Sequence, residues 1–429
     1  MMRLRFAHLG LAVLFLGAFC AMSSAATLVV GAPGAPCPNA HYSSIGAAVS
    51  AAGPGDVIAI CPALYPEQVT INKPLKLKGI SVDGANRVLI QPATLSAVNG
   101  YESVVSVVNT TNVSIENLAM DASNSTVTGC SPMLSVVHFF NSSGGVYRSA
   151  ISGALAQDPA SCPGAFPGNG FGVLVDCDGT VTGPFNVAVD QNSIHNYTKD
   201  GVFALGPAYG VSPVPVNLEV ADNAVAGIGP ASGTLQFGVF LIGATGRITG
   251  NMINEGTCGA LDFNDCDNLR SEGVVLRSAG EGTVVDGNFI TNAQSGIFIN
   301  GGTKFRITNN VIRNIDALDG IDIQGTASGY FTDSLIAGNT VFNVLPLGNE
   351  SCGVWEFSGS GVSGNTIANN TVNDTFCGVG YVTADRVVSG AYSNTLYTNV
   401  NTDGTVPNPV EPAVSAGLRR AAHVLRTAE

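Results

Sequence analysis

Through the middle and later parts of the chain, apolar and polar residues alternate in short runs that each carry a leading glycine. The runs are FGVLVD from Phe171, DGVFAL from Asp200, FGVFLI from Phe237, EGVVLR from Glu272, SGIFIN from Ser295, DGIDIQ from Asp319, CGVWEF from Cys352 and CGVGYV from Cys377. Between them lies a second kind of run, centred on asparagine: VDQNSIHN from Val189, VADNAVAG from Val220, ITGNMINE from Ile248, VDGNFITN from Val285, ITNNVIRN from Ile307, IAGNTVFN from Ile336 and IANNTVND from Ile367. The two kinds strictly alternate, and successive leading glycines are 23 to 37 residues apart. Alternation of period two predicts short strands, with Val274 and Leu276, Ile297 and Ile299, and Ile321 and Ile323 on the buried face.

One such unit cannot bury its apolar face alone, but stacked units bury a continuous column. A step of 23 residues is about one turn of a solenoid of short strands and tight bends. Longer steps are turns with loops inserted. The stretches ESVVSV from Glu102 and LSVVHF from Leu134 read as earlier, less regular copies. Asparagine suits bends that need left-handed backbone, and stacked asparagines can hydrogen-bond up the axis. These repeated GNxI and GVxL or GIxI pairs, over about residues 104–396, resemble the right-handed parallel β-helix superfamily with the pectin-lyase-like fold. The resemblance implies an all-β solenoid of ten or eleven turns.

Residues 42–80 have a different pattern. Ile45, Ala48, Val49 and Ala52 make one apolar stripe, Ser43 or Ser44 stands at the N-cap position, and Gly53-Pro54 ends the helix. Short strands are expected at Val57–Ile60, Val69–Ile71 and Leu75–Leu77. This stretch is similar to the opening of pectin methylesterases and of NosD-type periplasmic proteins, in which the helix plugs the open end of the solenoid. An end left open would expose both the apolar column and free strand edges. Tyr65 and Glu67 are expected to belong to this cap. The chain divides into a signal peptide over 1–26, the cap and first strands over 27–80, the β-helix over 81–400, and a Pro-rich linker with a short helix or tail over 401–429.

The first 26 residues carry Arg3 and Arg5, an apolar stretch too short to span a bilayer, and the small residues Ser24-Ala25-Ala26. That pattern predicts export, and nothing later is apolar for long enough to form an integral membrane segment. Export makes an extracellular, periplasmic or cell-surface protein, where cysteines pair. Proximity suggests Cys37 with Cys61, Cys258 with Cys266 and Cys352 with Cys377, and two of Cys130, Cys162 and Cys177 together. After removal of Arg3 and Arg5, 16 basic residues face 31 acidic ones, a net charge of about −15. Nucleic acid is therefore not an expected partner. A monomer is expected.

Carbohydrate-active β-helix enzymes, by the same resemblance, place the active site outside one parallel sheet. The glycine-led strands are the matching sheet here. If Ile321 and Ile323 point inward, Asp322 and Gln324 point outward. The same count puts Phe203, Phe240, Val275, Arg277, Phe298, Asn300 and Trp355 on the outer face, and puts Glu356 on the inner one. Flat rings contact sugar faces, and polar groups fix orientation; covering loops are the alternative reading of the same row. Asp319 and Asp322, with Glu356 one turn along, could supply the two carboxylates that glycoside hydrolysis needs, or simply cap turns. This set loosely resembles the Asn-Thr-Asp-Gly segment of polygalacturonases, but the other motifs of that family, and those of pectin methylesterases, are missing. A lyase needs a base, for which Arg277 and Lys199 are nearest, and a neutraliser of uronate charge. Calcium could serve, held by Asp262, Asp265 and Asp267 in the loop CGALDFNDCDN. The functional expectation is an exported protein that binds, hydrolyses or eliminates an extracellular polysaccharide such as a polyuronate. The alternative is a non-catalytic structural, adhesion or binding module.

Overall fold

The computed structural model describes residues 25–82, 87–126, 133–155, 169–206, 214–229, 235–257, 270–316, 318–324, 330–344, 352–357, 362–368, 370–373 and 377–381. The expected calcium loop, the signal segment, residues 401–429 and Cys130, Cys162, Cys258 and Cys266 lie outside them.

Three long parallel sheets run the length of the described chain. Sheet A has 12 strands, from Thr27–Val30 to Thr366–Ala368. Sheet B has 11, from Ala63–Tyr65 to Thr371–Asn373. Sheet C has 12 in its main path, from Val69–Ile71 to Cys377–Tyr381. The chain visits A, B and C in order, then returns to A beside its previous strand. Eleven such circuits stack, and the protein is an all-β parallel β-helix. A short fourth sheet, Gly302–Thr303, Phe331–Thr332 and Val362–Ser363, lines the late C-to-A corner. The inner rows are fully buried, Val274, Leu276, Ile297, Ile299, Ile321 and Ile323 among them.

Each leading glycine is fixed by close approach. A Cβ on Gly172, Gly201, Gly238, Gly273, Gly296 or Gly320 would lie 2.4–2.7 Å from the carbonyl oxygen of the next leading glycine. It would also lie 2.3–2.5 Å from an Ile or Val methyl of sheet B. The glycines therefore stack on one another where sheet C closes against the interior. In the two early copies, register places Val104 and Val136 at this position, so the constraint begins with Gly172.

The asparagine runs make the A-to-B corner. Asn192, Asn223, Asn251, Asn288, Asn310, Asn339 and Asn370 are all buried. Each of the first six donates a backbone N–H and a side-chain N–H to the Oδ1 of the next, at 2.8–3.0 Å. The second side-chain N–H closes on a sheet A carbonyl of the preceding turn, as from Asn251 to Val220 at 2.9 Å. The left-handed backbone expected of these asparagines belongs instead to the residue before each of the first six: Gln191, Asp222, Gly250, Gly287, Asn309 and Gly338. The ladder asparagines serve as hydrogen-bonding rungs, and their predecessors turn the corner. A second series, at the B-to-C corner, does combine both roles: Asn292, Asn314 and Asn343 are left-handed, and each of the last two donates to the Asn before it.

At the N-terminal end, helix α1 (Ile45–Ala51) buries Ile45, Ala48 and Val49 against the first turn. Ser44 caps it by accepting from the Ala47 N–H. The Glu67 carboxylate accepts from the N–H groups of Ile45 at 2.6 Å and Gly46 at 2.8 Å, a favourable place for negative charge at a helix start. Tyr65 is buried and donates to the Cys61 carbonyl at 2.8 Å. Cys37 and Cys61 are disulfide-bonded, which ties the entering loop to sheet A. Cys352 is also disulfide-bonded and sits in register with Cys377. Cys177 is buried in the core. The strand expected at Leu75–Leu77 runs over Lys76–Gly79, and a further strand, Ala63–Tyr65, lies between the first two of those expected.

Candidate functional site

The outer face of sheet C carries one continuous row in register: Ser106, His138, Leu174, Phe203, Phe240, Val275, Phe298, Asp322 and Trp355. Two residues further along the strands runs a second row of Leu205, Ile242, Arg277, Asn300 and Gln324. The sequence count for this face is therefore realised strand by strand. Glu356 falls in the row of Ile299 and Ile323, as the count gave; its side chain lies outside the described residues.

The face has three parts. In the middle, Phe237, Phe240, Val275 and Phe298 form an apolar cluster separate from the main core, with Phe203, Leu235 and Ile242 packed on it. Phe171, Phe203 and Phe240 stack in sequence, with ring centroids 5.5 and 5.2 Å apart. Lys199 places its ammonium 5.7 Å from the Phe237 centroid. Towards the C-terminal end, Asp322 accepts from the Gln324 amide at 3.0 Å and stands between Phe298 and Trp355 in the row. Here the face is covered: Phe298, Asn300, Asp322 and Trp355 are 1–3% exposed. Phe203, Leu205, Ile242 and Arg277 are half-buried and form the part of these rows in contact with solvent.

Asp319, offered as the partner of Asp322, is engaged with the backbone of the next turn. It precedes the strand Ile321–Gln324, is fully buried, and its carboxylate accepts from the Cys352 N–H at 2.6 Å. That bond closes the step to the next turn, a common use of aspartate.

The N-terminal part holds a group that the sequence reading passed over. His138 Nε2 lies 2.7 Å from Asp176 Oδ1, and the Tyr101 ring covers the imidazole at a centroid separation of 4.5 Å. Burial, followed by the charge of Asp176 and a hydrogen bond to it, holds the Tyr101 phenol well above its ordinary range. Ser106 stands beside His138 in the row, yet its hydroxyl and His138 Nδ1 are both buried without a hydrogen-bond partner, so the two are not linked. The available signal was the alignment of ESVVSV and LSVVHF with FGVLVD. It places Ser106 and His138 in the aromatic row.

A third polar group lies at the B-to-C corner behind the aromatic cluster. Tyr197 donates its hydroxyl to Glu255, and Gln236 donates to the Tyr197 carbonyl at 2.8 Å. Tyr197, Asp200, Gln236 and Glu255 are all buried. Burial pushes the carboxyls of Asp200 and Glu255 up to about 8.

Among the described residues no group of three or more His, Cys, Asp or Glu side chains is placed to hold a metal ion. No helix there is long and apolar enough to cross a membrane.

No protein-family model matches the chain, and no curated protein matches it. Among solved structures, the A-module of the Azotobacter vinelandii mannuronan C-5 epimerase AlgE6 is 13% identical over 82% of this chain and 92% of that one, with a TM-score of 0.40. The lacto-N-biosidase of Eubacterium ramulus is 14% identical over 82% of this chain and 68% of that one, with a TM-score of 0.48. The Dettilon tailspike protein is 14% identical over 83% and 62%, with a TM-score of 0.46. These likenesses concern the fold alone, which the three stacked parallel sheets already define as a parallel β-helix.

Proposed function

We propose that the protein is exported and binds an extracellular polysaccharide along the outer face of sheet C. One observation carries this reading: an aromatic cluster stands outside the core, in register over successive turns, and opens to solvent beside an arginine. The β-helix is already closed by its inner rows, so a second apolar cluster on its outside is surplus to the scaffold. Phe203 is the ring of this stack that reaches solvent and can pack against a sugar, and Arg277 offers charge to a uronate. The engaged carboxylate of Asp319 favours binding over hydrolysis by an Asp319/Asp322 pair.

The test is a panel of neutral and uronate polysaccharides titrated onto the mature protein, with reducing ends and unsaturated uronate followed in parallel. Binding is expected to weaken about tenfold in Arg277→Ala for a uronate polymer, and to weaken in Phe203→Ala for all ligands. Cleavage abolished by Asp322→Asn would turn the reading to hydrolysis. No binding to any polymer would leave the structural or adhesion module as the better account.

A further inference from the structure

Asp200 and Glu255 sit where a charged group is hard to keep. Asp200 opens the sheet C strand Asp200–Leu205, and Glu255 follows the sheet B strand Met252–Asn254 two turns later. Neither is more than 1% exposed. Glu255 accepts one hydrogen bond, from Tyr197, while its Oε2 and Asp200 Oδ1 have no partner. The surroundings offer little compensation. Lys199 favours the charged form of Asp200, but Asp200 disfavours that of Glu255. Tyr197 is itself a weak acid, held far above its usual range by the same burial. Gln236 brings an uncharged amide, and Glu272 stands on the next strand in the row of Asp200 and Phe237. An ionised carboxylate left without a partner in such a place is costly, and the site relieves that cost by keeping its proton.

We propose that Asp200 and Glu255 are a proton lock on the central turns, un-ionised while the turns are closed and forcing the B-to-C corner open when they lose their protons to solvent. The corner is continuous with the outer face. Asp200 is in register with Phe171 on one side and Phe237 on the other, so opening there loosens the stacked rings. The lock itself stands whether or not those rings bind sugar; only its control of ligand binding rests on the proposed function.

Thermal unfolding from pH 5 to pH 9 tests the lock without any ligand. The wild-type midpoint is expected to fall as pH rises from 5 to about 8 and to level off above it. In the Asp200→Asn/Glu255→Gln double variant, whose amides mimic the protonated acids, it should fall much less. Parallel curves for the two proteins would overturn the proposal. Carboxyl carbon NMR of the wild type, labelled in Asp and Glu, decides the matter even if the variant does not fold. Two carboxyls titrating near pH 8 are expected, and titration of every carboxyl below pH 6 overturns it. Calcium added at pH 8.5 is expected to leave the midpoint unchanged. A rise that the double variant lacks would mean that the pair holds a cation rather than protons.

Discussion

Two corners of the same solenoid bury polar side chains in opposite ways. At the A-to-B corner every rung is a neutral amide, and from Asn192 to Asn339 each rung's donors meet acceptors on neighbouring turns. At the B-to-C corner, near the middle of the chain, the buried groups are acids with unpartnered oxygens. A satisfied buried network rigidifies whatever the conditions, whereas an unsatisfied one depends on them. The contrast teaches where to look for function in a repeat protein. Regular rungs build the scaffold, and the places that depart from them carry something else.

The largest expected effect comes from a change that strikes the whole stack. In Gly296→Val the new Cβ would lie 2.4 Å from the Gly320 carbonyl oxygen, which is backbone and cannot step aside. A loss of about 3 kcal/mol or more is expected in urea unfolding, at every pH; a loss below about 1 kcal/mol would show that the glycine column is not a steric requirement. Next comes the ladder. Asn288→Ala leaves the Asn251 amide and backbone N–H without their shared acceptor, so a loss of about 2–3 kcal/mol is expected, again independent of pH. A marked pH dependence in that variant would blur the distinction between the corners.

The acid corner should respond differently. Folded Asp200 and Glu255 have raised pKa values, so between the ordinary carboxylate range and about 8 the folded state holds protons that the unfolded chain has released. Stability is then fully present at low pH and declines as pH rises through that window, with a slope of up to about 1.4 kcal/mol per pH unit for each group. Tyr197→Phe removes the hydrogen bond that draws the Glu255 pKa down. It is expected to cost about 1–2 kcal/mol and to extend the decline to higher pH, as read from unfolding at several pH values. The smallest effect is expected outside both corners: Glu67→Ala should cost about 1 kcal/mol near neutral pH by uncapping α1. A larger loss there would mean that the whole first turn depends on the plug.

The solenoid was legible because its rules repeat. Gly296-Ile297-Phe298-Ile299 and Gly320-Ile321-Asp322-Ile323 state both the strand and its face, and the register confirms them residue for residue. The cap was legible from Ser44 and the stripe Ile45, Ala48, Val49. The bend residues were misread by one position, because a side chain that bridges turns and a backbone that bends are both served by asparagine. His138 with Asp176, and Tyr197 with Glu255, were not legible at all. Their partners are 38 and 58 residues apart, and only the pitch of the stack brings them together. Exposure was equally invisible: alternation tells outward from inward, but not whether Phe298 or Trp355 meets solvent.

The ladder also has a direction. From Asn192 to Asn339 each rung gives its backbone N–H and one side-chain N–H to the rung nearer the C-terminus, and its second side-chain N–H to a carbonyl of the preceding turn. Loosening the last rung takes the acceptor from the rung before it and leaves the earlier rungs bonded, so stretching from that end is expected to open the stack turn by turn. Each such step would release one circuit, 23 to 37 residues of chain between leading glycines, while at the opposite end the Cys37–Cys61 disulfide ties the entering loop to sheet A.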